Sequence, residues 1–434
     1  MDELTARSVA VAWRKAGRRL GLSGPGLLAG LQLDGCIGSF VVRVEQPEDR
    51  TRIVVHDERP SALSSLRWRA GAAGTTTDAV ATGDAPFDDR VVASGDPVVI
   101  AAFFGASMRR RILRATTGGG RFEDGILTLD LPSPPRSATD LVSAVRRAIG
   151  FARRMSTPRD VAARLAANAQ GDPVAAVRLN CLERLHESFP GRAIRVLRAA
   201  LRDPDPEVRL RAATRAPEEG RRVLLALAWG FRLDEAVQAR AIAALVHPPA
   251  PALIRILDTA IRRGRRRVAL EAVSALGRGG SRSALAPLSR LTRGTDAAIR
   301  VAAIRALGAT RQPSAQVALV SALRLEPGEA REAAAEGLGA LGTVTAVAPL
   351  REAVDAYPRD AELRRAASRA IAAIQGRATG ADAGQLSIVD EPGAGALSLT
   401  GSEAGQLSLG PEAAPDGPPG CTSPGARRTS RRRS

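Results

Sequence analysis

A nine-residue block recurs along the chain and constrains its fold more than any other feature. It reads VRLNCLERL (177–185), VRLRAATRA (208–216), ARAIAALVH (239–247), VALEAVSAL (268–276), IRVAAIRAL (299–307), AAAEGLGAL (333–341) and AASRAIAAI (366–374). The blocks end at 185, 216, 247, 276, 307, 341 and 374, so the steps are 31, 31, 29, 31, 34 and 33 residues. Periods of this size belong to stacked repeats, not to one globular core. A second apolar helix precedes most blocks, as in AIRVLRAALR (193–202), LIRILDTAIR (253–262) and AVAPLREAV (346–354), and residues 158–170 supply the first. Seven helical hairpins result. One hairpin cannot bury its apolar face alone, so neighbours must stack. Small residues recur in the second helix at Ala212, Ala243, Ala272, Ala303, Gly337 and Ala370, where bulk would hold adjacent helices apart.

The motifs GDPVAAVRLNC (171–181), DPDPEVRLRAA (203–213), ALGRGGSRSALAPL (275–288) and ALGTVTAVAPL (340–350) resemble those of HEAT-like repeat proteins, bacterial ones among them. The resemblance covers about half the chain. It implies a right-handed superhelix of stacked hairpins. It does not imply one activity, because such repeats serve scaffolds, chromophore lyases and DNA-repair proteins alike.

The expected fold class is therefore mainly α: an α-solenoid at 156–376 behind a small α+β domain at 1–136, with a linking or capping helix at 137–155. In the first domain, the 27–35 region, 39–46, 51–58, 87–96 and 125–132 carry strand signals. Residues 96–115 read as one or two helices, with Asp96 as N-cap and Pro97 at the first helical position. The stretch FDDRVVASGDPVVIAAFFGASMRRRIL with FEDGILTLDLP resembles a module of bacterial proteins of unknown function, in which a strand leads to a helix pair and a two-strand hairpin. Residues 377–434 are rich in Gly, Ala, Ser and Pro, the composition of a disordered tail. The tail repeats GQLSI (384–388), GALSL (395–399) and GQLSL (405–409). Leu386 with Ile388, Leu397 with Leu399 and Leu407 with Leu409 would share one side of an extended strand able to join a sheet edge.

Net charge is +18. Residues 1–150 carry 20 basic and 17 acidic groups, residues 151–376 carry 37 and 22, and residues 377–434 carry 6 and 6. The excess thus sits in the repeats, and a basic surface fits an anionic partner. Of the 63 basic residues only Lys15 is lysine, a bias that GC-rich coding also produces.

Asp172, Asp203 and Asp234 precede Arg178, Arg209 and Arg240 by six residues each. Both series read as a structural ladder in which each Asp caps its helix and the Arg pairs with an Asp of a neighbouring repeat. The competing reading is a binding ladder on the concave face. The fourth hairpin replaces the pattern with Arg262, Arg263, Arg265, Arg266 and Arg267 around Gly264 and no acid. Guanidinium forks there could grip phosphates or carboxylates, or form a solvated turn. Trp229 is expected in the core.

Catalytic chemistry finds no support. His56, His186 and His247 stand alone, and Cys36, Cys181 and Cys421 have neither disulfide nor metal-ligand spacing. No catalytic group, metal or cofactor is expected. The N-terminus lacks the apolar stretch of a signal peptide, and no run reaches the ~20 apolar residues of a membrane span. The functional expectation is a non-enzymatic protein–protein scaffold in a bacterial cytoplasm. The alternatives are a nucleic-acid-binding protein using the basic solenoid, against which the 3% aromatic content stands, and a chromophore lyase by fold analogy alone.

Overall fold

A computed structural model describes residues 3–24, 31–47, 50–58, 66–71, 77–131, 135, 137–156, 160–325 and 327–379. The tail motifs at Leu386, Ile388, Leu397, Leu399, Leu407 and Leu409 lie outside the described residues.

The first domain runs α1 (Glu3–Leu20), β1 (Gln32–Ile37), β2 (Phe40–Glu45), β3 (Thr51–Asp57), β4 (Arg67–Ala70), α2 (Ala85–Asp88), β5 (Val91–Ser94), α3 (Pro97–Phe103), α4 (Ala106–Thr116), β6 (Arg121–Glu123), β7 (Ile126–Leu131) and α5 (Ala138–Ser156). Its strands form one antiparallel sheet in the order β1-β2-β3-β7-β6-β4-β5. Alternation decides which face is covered: Phe40, Val42, Val44, Ile53 and Val55 are buried, while Arg43 and His56 at alternate positions are exposed. The expected strand at 87–96 splits. Phe87 lies in the short helix α2, started by Pro86, and only Val91–Ser94 pairs. The 96–115 segment is two helices, and Asp96 caps the first by accepting the Val98 N–H at 2.8 Å. Strand, helix pair and hairpin follow one another as β5, α3–α4 and β6–β7. The hairpin turns at Asp124 and Gly125, with φ of 51° and 80°, the left-handed pair a two-residue turn requires. The 137–155 helix is α5, and it lies against α1, β3 and β7, its Leu141, Val145, Ala148 and Phe151 buried in the same core as the strands.

Seven hairpins follow: α6 (Val161–Gly171) with α7 (Ala175–Ser188), α8 (Pro190–Ala200) with α9 (Pro206–Arg215), α10 (Pro217–Ala228) with α11 (Glu235–Ala243), α12 (Ala250–Arg262) with α13 (Arg266–Gly279), α14 (Leu285–Leu291) with α15 (Ala297–Ala309), α16 (Gln316–Ala322) with α17 (Gly328–Leu341), and α18 (Val347–Ala356) with α19 (Ala361–Thr379). The protein is a mainly helical solenoid carrying a small sheet domain at its N-terminal end. Second helices pack on second helices of the next repeat, and small residues set how close they come. A Cβ on Gly308 would stand 2.6 Å from the Gly337 Cα, one on Gly277 2.7 Å from the Ala306 Cα, and one on Gly339 3.0 Å from the Ala370 Cα. Ala212, Ala272, Ala303, Gly337 and Ala370 are buried as their period demands. Ala243 is not: α11 ends there, and its side chain faces solvent.

The two parts share one apolar core, which runs without a break from Val9 in α1 to Ala212 in α9. Polar bonds fix their register: Asn168 donates to the Ala101 and Ala102 carbonyls at 3.0 and 2.9 Å, across the α3–α6 contact. The helices α3 and α4 thus cap the first true repeat, as an end repeat needs.

Candidate functional site

The turn between the two helices of each hairpin leaves helix C-terminal carbonyls without intrahelical donors. In five hairpins one arginine of the second helix answers them from six residues downstream. Arg178 Nη1 reaches the Asp172 carbonyl at 2.8 Å, Arg209 Nη1 that of Asp203 at 2.6 Å, and Arg300 Nη1 that of Gly294 at 2.9 Å. Arg331 Nη1 reaches Leu325 O at 3.0 Å, and Arg364 bonds Pro358 O. The other edge of the guanidinium is free to take an acid from the next repeat. Arg178 holds both oxygens of Asp203 at 2.7 and 2.8 Å, and Arg331 holds Asp360 at 3.1 Å.

The ladder begins one rung before the first repeat. Arg109 of α4 forks onto both oxygens of Asp172 at 2.8 and 2.9 Å, with its Nε on Asp84 at 2.6 Å. Arg109 and Asp172 are 2% and 4% exposed, so this is a buried ion pair. Burial, the largest single influence, opposes the charge on each, but the ion pair together with the other hydrogen bonds outweighs it. The Arg109 pKa is raised and that of Asp172 held below the usual carboxylate range. Asp172, Asp203, Arg178 and Arg209 thus find their hydrogen-bond partners within the protein. Only Asp234 caps its helix directly, accepting the Ala236 N–H at 2.7 Å. Asp203 instead accepts from Asp205 N, and Asp205 is the cap of α9.

The third hairpin breaks the pattern. Arg240 turns outward, is exposed, and bonds Glu207 of the preceding repeat. Its turn is closed from the fourth hairpin: Arg265 donates to Phe231 O at 2.6 Å, Leu233 O at 2.9 Å and Gln238 Oε1 at 3.1 Å. The arginine run is thereby divided. Arg265 is a staple. Arg266 pairs with Asp296 at 3.0 Å. Arg263 lies 5.1 Å from the Phe231 ring centroid, and Arg262 donates to Thr259 Oγ1 at 3.2 Å. The acid missing from the turn comes from the previous repeat, where Glu235 accepts the Arg267 and Val268 N–H groups at 2.7 and 3.3 Å. The five arginines are not one free anion grip; only the Arg267 guanidinium is without a protein partner among the described residues.

A consequence is an exposed aromatic. Trp229, the C-cap of α10, is 39% exposed and not in the core. α10 ends at Ala228, so Trp229 falls at the start of the turn. It forms one wall of an open notch of about 630 Å³ with Leu201, Val223, Phe231, Arg222 and Arg232. Arg255 stands 5.8 Å from its ring centroid. Arg222 and Arg232 are exposed and have no ion-pair partner among the described residues. Trp and Arg are the residues that most often carry binding energy at interfaces. Sequence reasoning missed the notch because the apolar spacing of 223–231 reads the same whether the last turn is covered or not.

Other chemistry-bearing residues stay apart. Among the described residues no group of three or more His, Cys, Asp and Glu side chains could hold a metal. Cys36 and Cys181 are unpaired. Burial and the nearby Asp172 push the Cys181 thiol up to about 12, so it is no thiolate at neutral pH. No helix among the described residues is long and apolar enough to cross a membrane.

Residues 288–372, within hairpins five to seven, match the family of HEAT repeats. No curated protein matches the chain. Among solved structures, human deoxyhypusine hydroxylase in complex with glycerol is 17% identical, over 49% of this chain and 96% of its own, with a TM-score of 0.23. The karyopherin Kap121p, bound to the extreme C-terminus of the protein phosphatase Cdc14p, is 12% identical over 56% of this chain and 32% of its own, with a TM-score of 0.36. An engineered protein is 18% identical over 64% of this chain and 83% of its own, with a TM-score of 0.33.

Proposed function

We propose that the chain is a non-enzymatic scaffold of HEAT repeats that docks a protein partner on its solenoid, anchored at the second and third hairpins. Trp229, exposed in a notch rimmed by Arg222 and Arg232, carries this reading. An apolar side chain entering the notch would meet an aromatic wall, and a carboxylate beside it would meet guanidinium groups without acids of their own. The partner is thus an acidic segment bearing at least one large apolar residue. A reducing cytoplasm suits the exposed free thiol of Cys36.

The same exposed ring among arginines also suits an unpaired nucleobase, which keeps a nucleic-acid partner as the second reading. Capture by the full-length protein, with and without nuclease, separates the two. Protein retained after nuclease, and lost with Trp229→Ala and Arg222→Glu, supports the scaffold. Material released by nuclease supports the second reading, and capture indifferent to both substitutions removes this surface from either.

A further inference from the structure

The first domain holds a second unoccupied surface, unrelated to the notch. Between α4 and α5, over strands β3 and β7, lies a groove of about 470 Å³. Its floor is apolar, with Ile53, Leu129, Leu131 and Phe151. Its two walls carry cations: Arg111 and Arg114 from α4, Arg147 and Arg154 from α5. All four are exposed and none has an ion-pair partner among the described residues. Among the described residues the one acid lining the groove, Asp130, is held by Arg52 at 2.7 Å. Other arginines facing a neighbouring helix are paired, as Arg211 is with Glu183 at 2.9 Å and Arg305 with Glu329 at 2.9 Å. Four guanidinium groups over an apolar floor, beside one acid already paired with Arg52, form a site that lacks its anion.

The chain contains a segment of the matching chemistry. From 378 to 426 there is no Lys or Arg, while Asp382, Asp390, Glu391, Glu403, Glu412 and Asp416 are acidic. Each apolar motif leads into a glutamate: LSIVDE (386–391), LSLTGSE (397–403) and LSLGPE (407–412). The whole tail is neutral only because five arginines are gathered after residue 426. Apolar pairs followed by a carboxylate complement an apolar floor walled by arginines. Sheet edges are poorer acceptors than when only the sequence is considered. Asp34 of β1 already bonds Ser23 through both its N–H and its carbonyl, and Ala93 O of β5 accepts from Val80. Reach selects among the motifs. Six repeat steps at about 10 Å separate the ends of the solenoid by roughly 60 Å. From Thr379 to Leu386 is 7 residues and to Leu407 is 28, which at ~3.4 Å each span about 24 and 95 Å.

We propose that this groove binds the acidic Leu-Ser-[Ile/Leu] segments of the chain's own C-terminal region, with the third motif able to reach it within one molecule. The leucine pair lies on Leu129, Leu131 and Phe151, and the following glutamate bonds the arginines of the facing helices. The occupied groove makes the first domain a latch for the tail.

The test uses the full-length chain with Leu386, Leu397 and Leu407 changed to Ser, which empties the groove of its own ligand, and a fluorescent peptide of residues 403–414. Saturable binding is expected by anisotropy, weakened at least tenfold by Arg147→Glu or Arg114→Glu in the receiving chain, and equally by Glu412→Gln with Leu407→Ser in the peptide. Both arginines are exposed, so melting curves of these variants should match the parent. Binding should persist with Trp229→Ala. No saturable binding, or binding that ignores the arginine substitutions in a chain that melts normally, overturns the proposal. So does binding that disappears with Trp229→Ala, because it places the tail in the solenoid notch and leaves the scaffold reading intact.

Discussion

The turns of the first and third hairpins have the same job and solve it in opposite ways. In the first, Arg178 and Arg109 close the turn at Asp172 from both sides, and the rung is buried. In the third, the local arginine faces solvent, closure is taken over by Arg265, and Trp229 is left uncovered. A periodic residue in a repeat serves the neighbouring repeat; where the period fails, surface is left exposed, as at Trp229. Charge follows the same division. Arginines in the ladder are spent within the protein, while Arg222 and Arg232 beside Trp229 are not.

That contrast can be broken most forcefully at the first rung. Arg109→Ala leaves Asp172 charged and buried, and about 3–5 kcal/mol of stability should be lost by urea denaturation. Arg265→Ala strands two turn carbonyls in a half-buried place, and about 1–3 kcal/mol is expected. If the third rung proved the costlier, its turn would be as structural as the first. The same ranking should appear in packing. Ala303→Leu overpacks a fully buried position in α15, at about 1–3 kcal/mol, whereas Ala243→Leu, its periodic equivalent in the open hairpin, should change the melting temperature little.

Acid sharpens the comparison further. The Asp172 carboxyl titrates below its usual 3.8 because Arg109 and the Val174 and Ala106 N–H groups outweigh the opposing effect of burial. A pKa lower folded than unfolded means stability that is whole above about pH 4 and lost as pH falls through the folded value. Stability measured from about pH 5 downward should therefore fall more steeply in the parent than in Asp172→Asn, which lacks the titrating group. Equal slopes would place the acid sensitivity elsewhere, for instance at Asp360, whose carboxyl is also lowered, by the Leu363 N–H and by Arg331.

Much of the fold was legible because its information is local. Steps of about 31 residues locate all seven hairpins, since each second helix repeats one small-and-apolar face. Where pairing is distant, the sequence is mute. β4 (RWRA) and β6 (RFE) each offer one apolar residue between charges, and only pairing with distant partners, β4 with β5 and β6 and β6 also with β7, makes them strands. Arg109 and Asp172 lie 63 residues apart and belong to different domains. The ladder was visible as a spacing, but its missing third rung was not, because Asp234 and Arg240 keep the spacing while losing the contact. The arginine run looked continuous for a similar reason: Arg265, Arg266 and Arg267 have identical side chains and three different neighbourhoods.

The most direct test of the docking surface uses the three tryptophans as they stand. Trp13 and Trp68 are 2% and 1% exposed, and Trp229 is 39% exposed, so acrylamide quenching of the full-length protein reports almost wholly on Trp229. Quenching should be strong in the free protein, absent in Trp229→Ala, and suppressed when the nuclease-resistant captured partner is added back. Unchanged quenching of the wild-type protein with the partner bound would show that the open hairpin is not where docking occurs.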